Sequence, residues 1–453
     1  MLITHGTVIT FGDATKIIHD GAVRVQGPFI TDVGDARHMI KAFPQDPMVD
    51  VGGQLVMPGN ICAHTHFYGA FARGMSIAGD PPRDFPEILS KLWWRLDRAL
   101  LELDVKYSAL VCLVDAIRHG TTTLIDHHAS PAAVNGSLDY VAEAVRQAGV
   151  RASLCYEVTD RNGREGARAG IDENVRFLHT LKEIGTPESG GSLLAGSFGL
   201  HASLTLSAET LSECVAAGAG LDSGFHIHAA EGIADQEDSL RKSGKRVVER
   251  LASAGILGPK SILAHCVHVD PWELEIIRDT GTWVVHQPRS NMNNAVGVAP
   301  VEAMLRGGIR VGLGNDGFSN NMWAEWKAAY LVHKLWHGDP RRANGYDILR
   351  MAVTHNAALA KVFWPQAPLG ELTPGAFADL ILVDYRPFTE LTVGNLPWHI
   401  LFGFEASSVT ATMVAGRWLM RERSLLTLDE EAITSRAREL SAQVWQRYLE
   451  LAD

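Results

Sequence analysis

LVMPGNICAHTHF, residues 55–67, is an apolar run with two histidines near its end, His64 and His66, separated by one residue. In a β-strand, residues two apart point to the same side. If this strand belongs to a closed barrel, His64 and His66 both point into one cavity and can bind one metal ion. Three later segments can complete such a site: FHIHAAE at 225–231, LAHCVHV at 263–269 and LGNDGFSNN at 313–321.

The composition is that of a globular protein, with 453 residues, 46% hydrophobic and 21% charged. A formal net charge of -11 without a basic run argues against a nucleic-acid surface. The first residues lack the basic-then-apolar order of a signal peptide, and no apolar run approaches about 18 residues. The five cysteines are scattered, which favours buried, reduced thiols. These features predict a cytoplasmic enzyme without nucleic-acid or membrane partners.

Both ends of the chain consist of short strand-like segments separated by Gly, Asp and Pro. Residues 1–54 have this texture, and it returns in DLILVDYRP (379–387) and SVTATMVAGRWLMRE (408–422). We therefore predict one small β-sandwich domain built from residues 1–54 and 368–453. The long middle, residues 55–367, is predicted to be a separate catalytic domain.

The middle of the chain alternates strand-like and helix-like segments. Eight such β/α units predict an α/β fold, a (β/α)8 TIM-type barrel, whose active site lies at the carboxyl ends of the strands. The strands are apolar on both faces, as buried parallel strands should be. The eight segments are LVMPGNICAHTH (55–66), 120–128, 151–158, 193–202, 223–230, 261–267, 282–288 and 309–316.

Four polar residues at the ends of these strands form a candidate metal site. His64, His66, His228 and Asp316 offer three nitrogens and one oxygen, a set that suits Zn²⁺ and also Fe²⁺. Such an ion lowers the pKa of its bound water to about 7. SFGLHAS (197–203) lacks a lysine that, once carboxylated, would bridge two metals. One divalent ion is therefore predicted.

Glu231 and His265 are the candidate proton-transfer residues. Glu231 follows His228 by three residues, from where a carboxyl group can reach a ring nitrogen of a substrate and shuttle protons. The alternative is an exposed glutamate in the first turn of a helix. His265 is a candidate to polarise the attacking water or the developing oxyanion.

Five residues lie where a flat heterocycle could be held beside the metal. Arg289 offers a planar donor fork for a carboxylate or an oxo-rich ring, but it can equally form a salt bridge in the wall of the barrel. Of the successive residues His127 and His128, at most one is expected to face the substrate. The predicted substrate-binding residues are Trp94, His128, His201, Arg289 and Asn291.

The motifs HTH, HIHAAE, AHCVH and GNDG, in this order, resemble the amidohydrolase superfamily in its cytosine deaminase and chlorohydrolase-like branch. LWWRLDRAL (92–100), GTTTLIDHHASP (120–131) and HQPRSNMNNAVGVAPV (286–301) are similar to SsnA-type aminohydrolases. The resemblance implies a homo-oligomer. It also implies metal ligands at His64, His66, His228 and Asp316, a proton shuttle at Glu231, and activation of the water by His265 and Asp316.

These observations predict hydrolytic deamination of an amino-substituted heterocycle, such as a purine, pterin, pyrimidine or triazine, with release of ammonia. An amino leaving group must be protonated to depart, whereas chloride need not be, so the acid at Glu231 favours deamination. Two alternatives stay open. The same metal site can open a cyclic amide or amidine, and a catalytically silent relative can bind without turnover.

Overall fold

The computed structural model describes residues 1–185 and 192–451, and within them the strands form three sheets. The strands are β1 Leu2–Ile9, β2 Ile17–Gln26, β3 Phe29–Asp35, β4 Met48–Asp50, β5 Leu55–Pro58, β6 Asn60–Thr65, β7 Thr121–Asp126, β8 Arg151–Leu154, β9 Leu194–Gly196, β10 Phe198–Ala202, β11 Phe225–Ala229, β12 Ile262–His265, β13 Trp283–His286, β14 Val311–Leu313, β15 Leu380–Val383, β16 Val409–Val414, β17 Arg417–Arg421 and β18 Ser424–Leu425.

The helices lie mainly between the strands of the middle of the chain. They are α1 Ala36–Ala42, α2 Phe85–Ile88, α3 Trp94–Ala99, α4 Glu102–Arg118, α5 Ser137–Ala148, α6 Gly163–Ile184, α7 Ala208–Gly218, α8 Ile233–Ser243, α9 Val247–Ser253, α10 Pro271–Thr280, α11 Pro288–Asn293, α12 Val301–Arg306, α13 Met322–His337, α14 Gly345–Leu349, α15 Asn356–Phe363, α16 Leu396–Gly403 and α17 Glu430–Glu450. Among the described residues, no helix is both long and apolar enough to span a bilayer.

A nine-stranded sheet contains strands from both ends of the chain. Its order is β18-β17-β16-β15-β5-β1-β2-β3, and β4 pairs with β1. β5 pairs with β1 on one side and with β15 on the other, so the predicted single strand LVMPGNICAHTH is in fact two strands in two sheets. The chain changes sheets at Gly59, where a Cβ atom would lie only 2.2 Å from the side chain of Thr122.

The middle of the chain forms two parallel sheets, β6-β7-β8-β9 and β10-β11-β12-β13-β14. The predicted strand at 193–202 is divided at Ser197, since β9 pairs with β8 whereas β10 pairs with β11. Parallel bridges between Val158 and Leu200 and between Thr65 and Asp316 connect the two sheets. The predicted α/β class with parallel strands is confirmed.

Gly314 allows the last parallel strand to approach the first one closely. A Cβ atom on Gly314 would lie 2.7 Å from the backbone nitrogen and oxygen of His64. The next two backbone N–H groups, of Asn315 and Asp316, donate to the carbonyl oxygen of His64 at 3.0 and 3.1 Å. The GNDG segment is thereby fixed beside the HTH segment, and Asp316 lies next to His64 and His66.

A buried ion pair joins the parallel sheet to the chain-end sheet. Arg151 on β8 donates through Nε to Asp379 Oδ2 at 2.6 Å, and both side chains are almost fully buried. The guanidinium also lies over the ring of Phe377, 4.0 Å from its centroid, while Asp379 accepts a hydrogen bond from the Ala415 N–H. Buried charges of this kind stabilise only as a satisfied pair.

We predict that Arg151→Met lowers the free energy of unfolding by about 3 to 5 kcal/mol, because it leaves the Asp379 carboxylate buried without its partner. The measurement is the midpoint of urea unfolding. Arg278→Met serves as the control, since Arg278 pairs with Asp279 at the exposed surface and its loss should cost less than about 0.5 kcal/mol. Equal shifts for the two variants would contradict the prediction.

Candidate active site

Three imidazoles and one carboxylate converge at the carboxyl ends of the parallel strands. His64 and His66 are carried by β6 and the residue after it, His228 by β11, and Asp316 by the loop after β14. One nitrogen or oxygen of each side chain lies within 4.8 Å of those of the other three. Asp316 Oδ1 is 2.9 Å from His66 Nε2 and 3.3 Å from His64 Nε2. The four predicted metal ligands are therefore brought together.

The outer nitrogens of two of these imidazoles are held by backbone carbonyls. His66 Nδ1 donates to the carbonyl oxygen of His127 at 2.6 Å, and His228 Nδ1 donates to that of His201 at 2.7 Å. A carbonyl oxygen can only accept, so the proton is on Nδ1 and each Nε2 presents a lone pair. Such support is the usual arrangement around metal-ligating histidines.

His64 is oriented by a chain of contacts in the core. Its Nδ1 lies 2.9 Å from His226 Nε2, and His226 Nδ1 in turn lies 3.9 Å from the Cys155 sulfur. The Cys155 thiol donates to the carbonyl oxygen of Asp126, which leaves the sulfur to accept from His226. In that arrangement His64 donates to His226 through Nδ1, and its Nε2 carries a lone pair as well.

The residues present fit a divalent metal ion. His66 Nε2 and His228 Nε2 are 3.1 Å apart although both present lone pairs, and His64 Nε2 is buried without a hydrogen-bond partner among the described residues. Facing acceptors repel each other unless a cation lies between them. Three imidazole nitrogens and one carboxylate oxygen form the donor set that zinc and iron accept.

The backbone is strained where the chain leaves the strands at this site. Ala230, His265, Cys266 and Asp316 have φ angles between 49° and 72°. Non-glycine residues in this left-handed region cost about 1 to 3 kcal/mol each and cluster at functional sites. These residues lie at or just after the carboxyl ends of β11, β12 and β14, where the chain turns out of each strand beside the site.

Glu231 and His265 lie on the side of the cluster where Asp316 is. Glu231 Oε2 is 3.4 Å from His265 Nε2, and His265 Nδ1 is 2.8 Å from Asn291 Oδ1. Burial raises the pKa of Glu231 to about 7; His265 opposes this shift and Asp316 adds to it. A carboxyl group with such a pKa can give and take a proton near neutral pH.

Two further side chains position Glu231. Asn294 Nδ2 donates to Glu231 Oε1 at 3.2 Å. The buried Asp235 carboxylate accepts from the backbone N–H of Ala230 at 2.8 Å and from that of Leu204 at 2.8 Å, which fixes the chain directly before Glu231. Glu231 is thus a buried residue of the site, not an exposed glutamate at the start of α8.

An aromatic cavity opens above the cluster, with about 670 Å³ of empty space including the part open to solvent. Two of the predicted substrate-binding residues, Trp94 and His201, line it together with His66, His228, Glu231 and Asp316. Trp94 lies on α3, directly after a π-helical turn at Leu89–Trp93. The other aromatic residues of the wall are Tyr68, Phe85 and Trp93.

The other three predicted substrate-binding residues do not line this cavity, although His128 Nδ1 and Asn291 Nδ2 are buried without a hydrogen-bond partner among the described residues. Arg289 pairs with the buried Glu325 and donates to Ser319, which is the wall salt bridge that the sequence left open. Asn291 contacts His265. His128 is fully buried and its Nε2 contacts Ser130 Oγ at 2.9 Å. Their predicted contact with substrate stays a prediction that this geometry does not support.

Sequence reasoning missed Glu157, Asp235 and Asn294, all of which line the cavity. Glu157 lies near His127, with Oε2 3.2 Å from Nδ1, and it follows a strand that carries no other acid. The acidic residue at the end of a predicted strand was the available signal. The roles of Asp235 and Asn294 depend on backbone and side-chain partners that are distant in sequence.

Parallel α/β sheets with this histidine–carboxylate cluster and a buried acid at their carboxyl edge define a hydrolase. The chain belongs to the amidohydrolase family, whose sequence profile matches residues 55–419. The family and the enzyme class predicted from the motifs, a hydrolase acting on carbon–nitrogen bonds, are confirmed.

Two proteins similar in sequence and one similar in structure are named deaminases, while a triazine hydrolase is also similar in structure, with a TM-score of 0.81, 22% identity and 97% of this chain and 99% of that chain covered. The 5-methylthioadenosine/S-adenosylhomocysteine deaminase of Pelotomaculum thermopropionicum is 32% identical over 454 residues, with 99% of each chain covered. The 5'-deoxyadenosine deaminase of Methanosarcina mazei is 30% identical over 452 residues, again with 99% of each covered. A zinc-bound adenosine deaminase from Xanthomonas campestris has a similar structure, with a TM-score of 0.82, 22% identity and 98% of each chain covered.

Loss of a residue that only hydrogen-bonds to a metal ligand lowers metal affinity by about 10- to 100-fold. We predict that His66→Ala lowers zinc affinity by more than this, because it removes one of the four ligands. The measurement is zinc retained per chain after dialysis against a graded chelator. His268→Ala is the matched control, since His268 is on the segment of His265 but lies outside the cluster. Zinc retention by His66→Ala equal to that of the control would contradict the assignment.

Proposed function

We propose that this protein is a mononuclear metal-dependent aminohydrolase that removes the amino group of an amino-substituted heterocycle and releases ammonia. The observation that carries the proposal is the position of Glu231 and His265 beside the cluster of His64, His66, His228 and Asp316. A buried acid of raised pKa next to a metal site is the equipment that hydrolysis of a C–NH2 bond requires.

The chain's own residues supply the proton transfers. His64, His66, His228 and Asp316 would hold a divalent ion, which would lower the pKa of water and so supply hydroxide near neutral pH. Glu231 gives a proton to the ring nitrogen next to the amine-bearing carbon, which makes that carbon more electrophilic. His265 donates through Nδ1 to Asn291 Oδ1, so its Nε2 carries a lone pair that can take a proton from the attacking water; the imidazolium formed can then donate to the developing oxyanion and return the proton to Glu231. After hydroxide has bonded to the carbon, the deprotonated Glu231 takes the proton of this new hydroxyl group and gives it to the amine, which leaves as ammonia as the C=O bond forms.

The cavity supports a flat ring as the substrate. Tyr68, Trp93 and Trp94 offer aromatic faces and edges on which a heterocycle can stack. The named relatives act on adenosine-type compounds, so aminopurines are the first class to test.

The remaining sequence predictions accompany this proposal. Zinc is the first candidate for the single ion and iron the second. We propose that the two parallel sheets close into one (β/α)8 barrel within the predicted span 55–367, starting at Asn60, which the bridges Thr65–Asp316 and Val158–Leu200 support. Residues 1–54 and 368–453 are proposed to form the β-sandwich domain, with Leu55–Pro58 as a further strand. Assembly as a homo-oligomer is the expectation from the resemblance.

The test is ammonia release from metal-assayed enzyme across aminated purines, pterins, pyrimidines and triazines. Ammonia from one class, lost on chelation and restored by zinc, is the expected result. A ring-opened acid without ammonia would replace deamination by opening of a cyclic amide or amidine. Metal-replete, folded protein without any turnover would favour the catalytically silent alternative.

We predict that Glu231→Gln lowers kcat by about 10²- to 10⁴-fold, because the amide cannot transfer a proton. Initial rates of ammonia formation give kcat, and metal analysis with a thermal unfolding curve establishes that the variant is folded and loaded. Near-normal turnover by loaded Glu231→Gln would remove Glu231 from the mechanism.

A further inference from the structure

Glu157 is a buried carboxylate at the cavity wall that the mechanism above does not use. It follows β8, and its side chain is 2% exposed. Oε2 lies 3.2 Å from His127 Nδ1 but has no hydrogen bond of good geometry among the described residues, and Oε1 accepts only a long contact of 3.4 Å from Arg161 Nη2. A carboxylate taken out of water with so few donors is costly unless a ligand supplies the missing ones.

A second acceptor lies beside it. His201 Nδ1 donates to Thr205 Oγ1 at 2.7 Å, and the hydroxyl of Thr205 donates in turn to the carbonyl oxygen of Ala202. His201 Nε2 therefore presents a lone pair, 4.0 Å from Glu157 Oε1. Two acceptors at the cavity wall, with no donor between them, leave a position for an N–H group of a ligand.

Glu157 and Glu231 lie on different sides of the metal ligands. Ligand atoms of Glu157, His201 and His228 lie within 4.8 Å of one another, whereas Glu231 forms a corresponding group with His265 and Asp316. A ring whose reacting carbon is at the cluster therefore has one edge toward Glu231 and the other toward Glu157. A sugar attached to the far side of a purine would be a full ring's width farther from the cluster.

We propose that Glu157, with His201, accepts the ring N–H that flanks the reacting carbon on the side opposite to Glu231. The substrate class that follows has an amine-bearing carbon between a bare ring nitrogen and a ring N–H, as in guanine, isocytosine and pterins. Adenine-type rings carry a carbon atom at the second position and offer Glu157 no donor. This inference rests on the proposed function, because it assigns the reacting carbon to the cluster.

The charge around Glu157 agrees with this role. Arg161 Nη2 donates to Asp97 Oδ2 at 2.8 Å, and its guanidinium lies 4.9 Å from the ring centroid of Trp94, so Arg161 connects Glu157 to the aromatic wall. His127 Nε2 faces the carbonyl oxygens of Leu200 and His226 at 3.0 and 3.1 Å, while its Nδ1 faces Glu157. Glu157 is thus held in one place by neighbours that leave Oε1 available to the cavity.

The test measures dissociation constants by equilibrium dialysis in the zinc-loaded Glu231→Gln background, so that turnover does not consume the ligand. Guanine is compared with 2-aminopurine, which keeps the same amine but lacks the ring N–H and the 6-oxo group, so the part of the preference that depends on Glu157 is the measure of the N–H contact. We expect guanine to bind at least about tenfold more tightly, as a hydrogen bond to a charged group provides, and Glu157→Gln to abolish the preference. Glu157→Asp, which keeps the charge, should retain part of it.

Glu173→Gln is the matched control. Glu173 is an equally buried carboxylate that accepts from the backbone of Gly136 and Leu138, away from the cavity, and its replacement should leave the preference intact. An equal loss of affinity for guanine and 2-aminopurine in Glu157→Gln would overturn the proposal. Glu157 would then bind the amine that both compounds share, or stabilise the fold. So would a preference of adenosine over 2',3'-dideoxyadenosine that depends on Glu157, or a fall from two zinc ions per chain to one in Glu157→Gln.

The two proposals fail separately. If the wild-type enzyme releases no ammonia from any compound but prefers guanine in a way that depends on Glu157, deamination is contradicted. The role of Glu157 in binding the ring N–H then stands. Ammonia release without such a preference contradicts the role of Glu157 and leaves the aminohydrolase.

Discussion

The candidate metal site depends on the hydrogen bonds that the Nδ1 atoms of His66 and His228 donate. A lone pair on Nε2 is available to a metal only while Nδ1 carries the proton, and the carbonyl oxygens of His127 and His201 keep it there. His127 follows β7, the neighbour of the ligand strand β6, and His201 lies on β10, the neighbour of the ligand strand β11. The parallel order of the strands therefore supplies both the ligands and their support, and a change in strand pairing would disturb both together.

The sequence predicts those parts of the site that follow from local periodicity. Residues two apart on one strand share a side, so His64 and His66 were predictable from spacing, and the order of the motifs identified His228, Glu231 and Asp316 as part of the same site. The break at Gly59 was missed because the apolar run continues across it, although the strand changes sheets there. Arg289 had two possible roles, and the choice depends on Glu325, which lies on α13 and is distant in sequence.

Electrostatics divides the cavity into two regions. On one side Glu231 lies near Asp316 in surroundings that favour its neutral form, which suits a group that moves protons. On the other side the guanidinium of Arg161 lies 3.4 Å from Glu157, which favours a fixed negative charge on that carboxylate. Two glutamates on one cavity thus have environments suited to different tasks. Their partners come from distant segments, so a sequence read one segment at a time does not reveal the division.

The crossing at Gly59 ties the ligand strand to the chain-end sheet. β5 ends at Pro58 and β6 begins at Asn60, so His64 lies only six residues beyond a strand that is clamped between β1 and β15. Strand register changes in whole residues, and a slip of one residue reverses the side to which every side chain points. Insertions or deletions between 55 and 66 should therefore be excluded from functional variants. Truncation of the carboxyl-terminal strands would likewise alter the geometry of a metal site far from the cut.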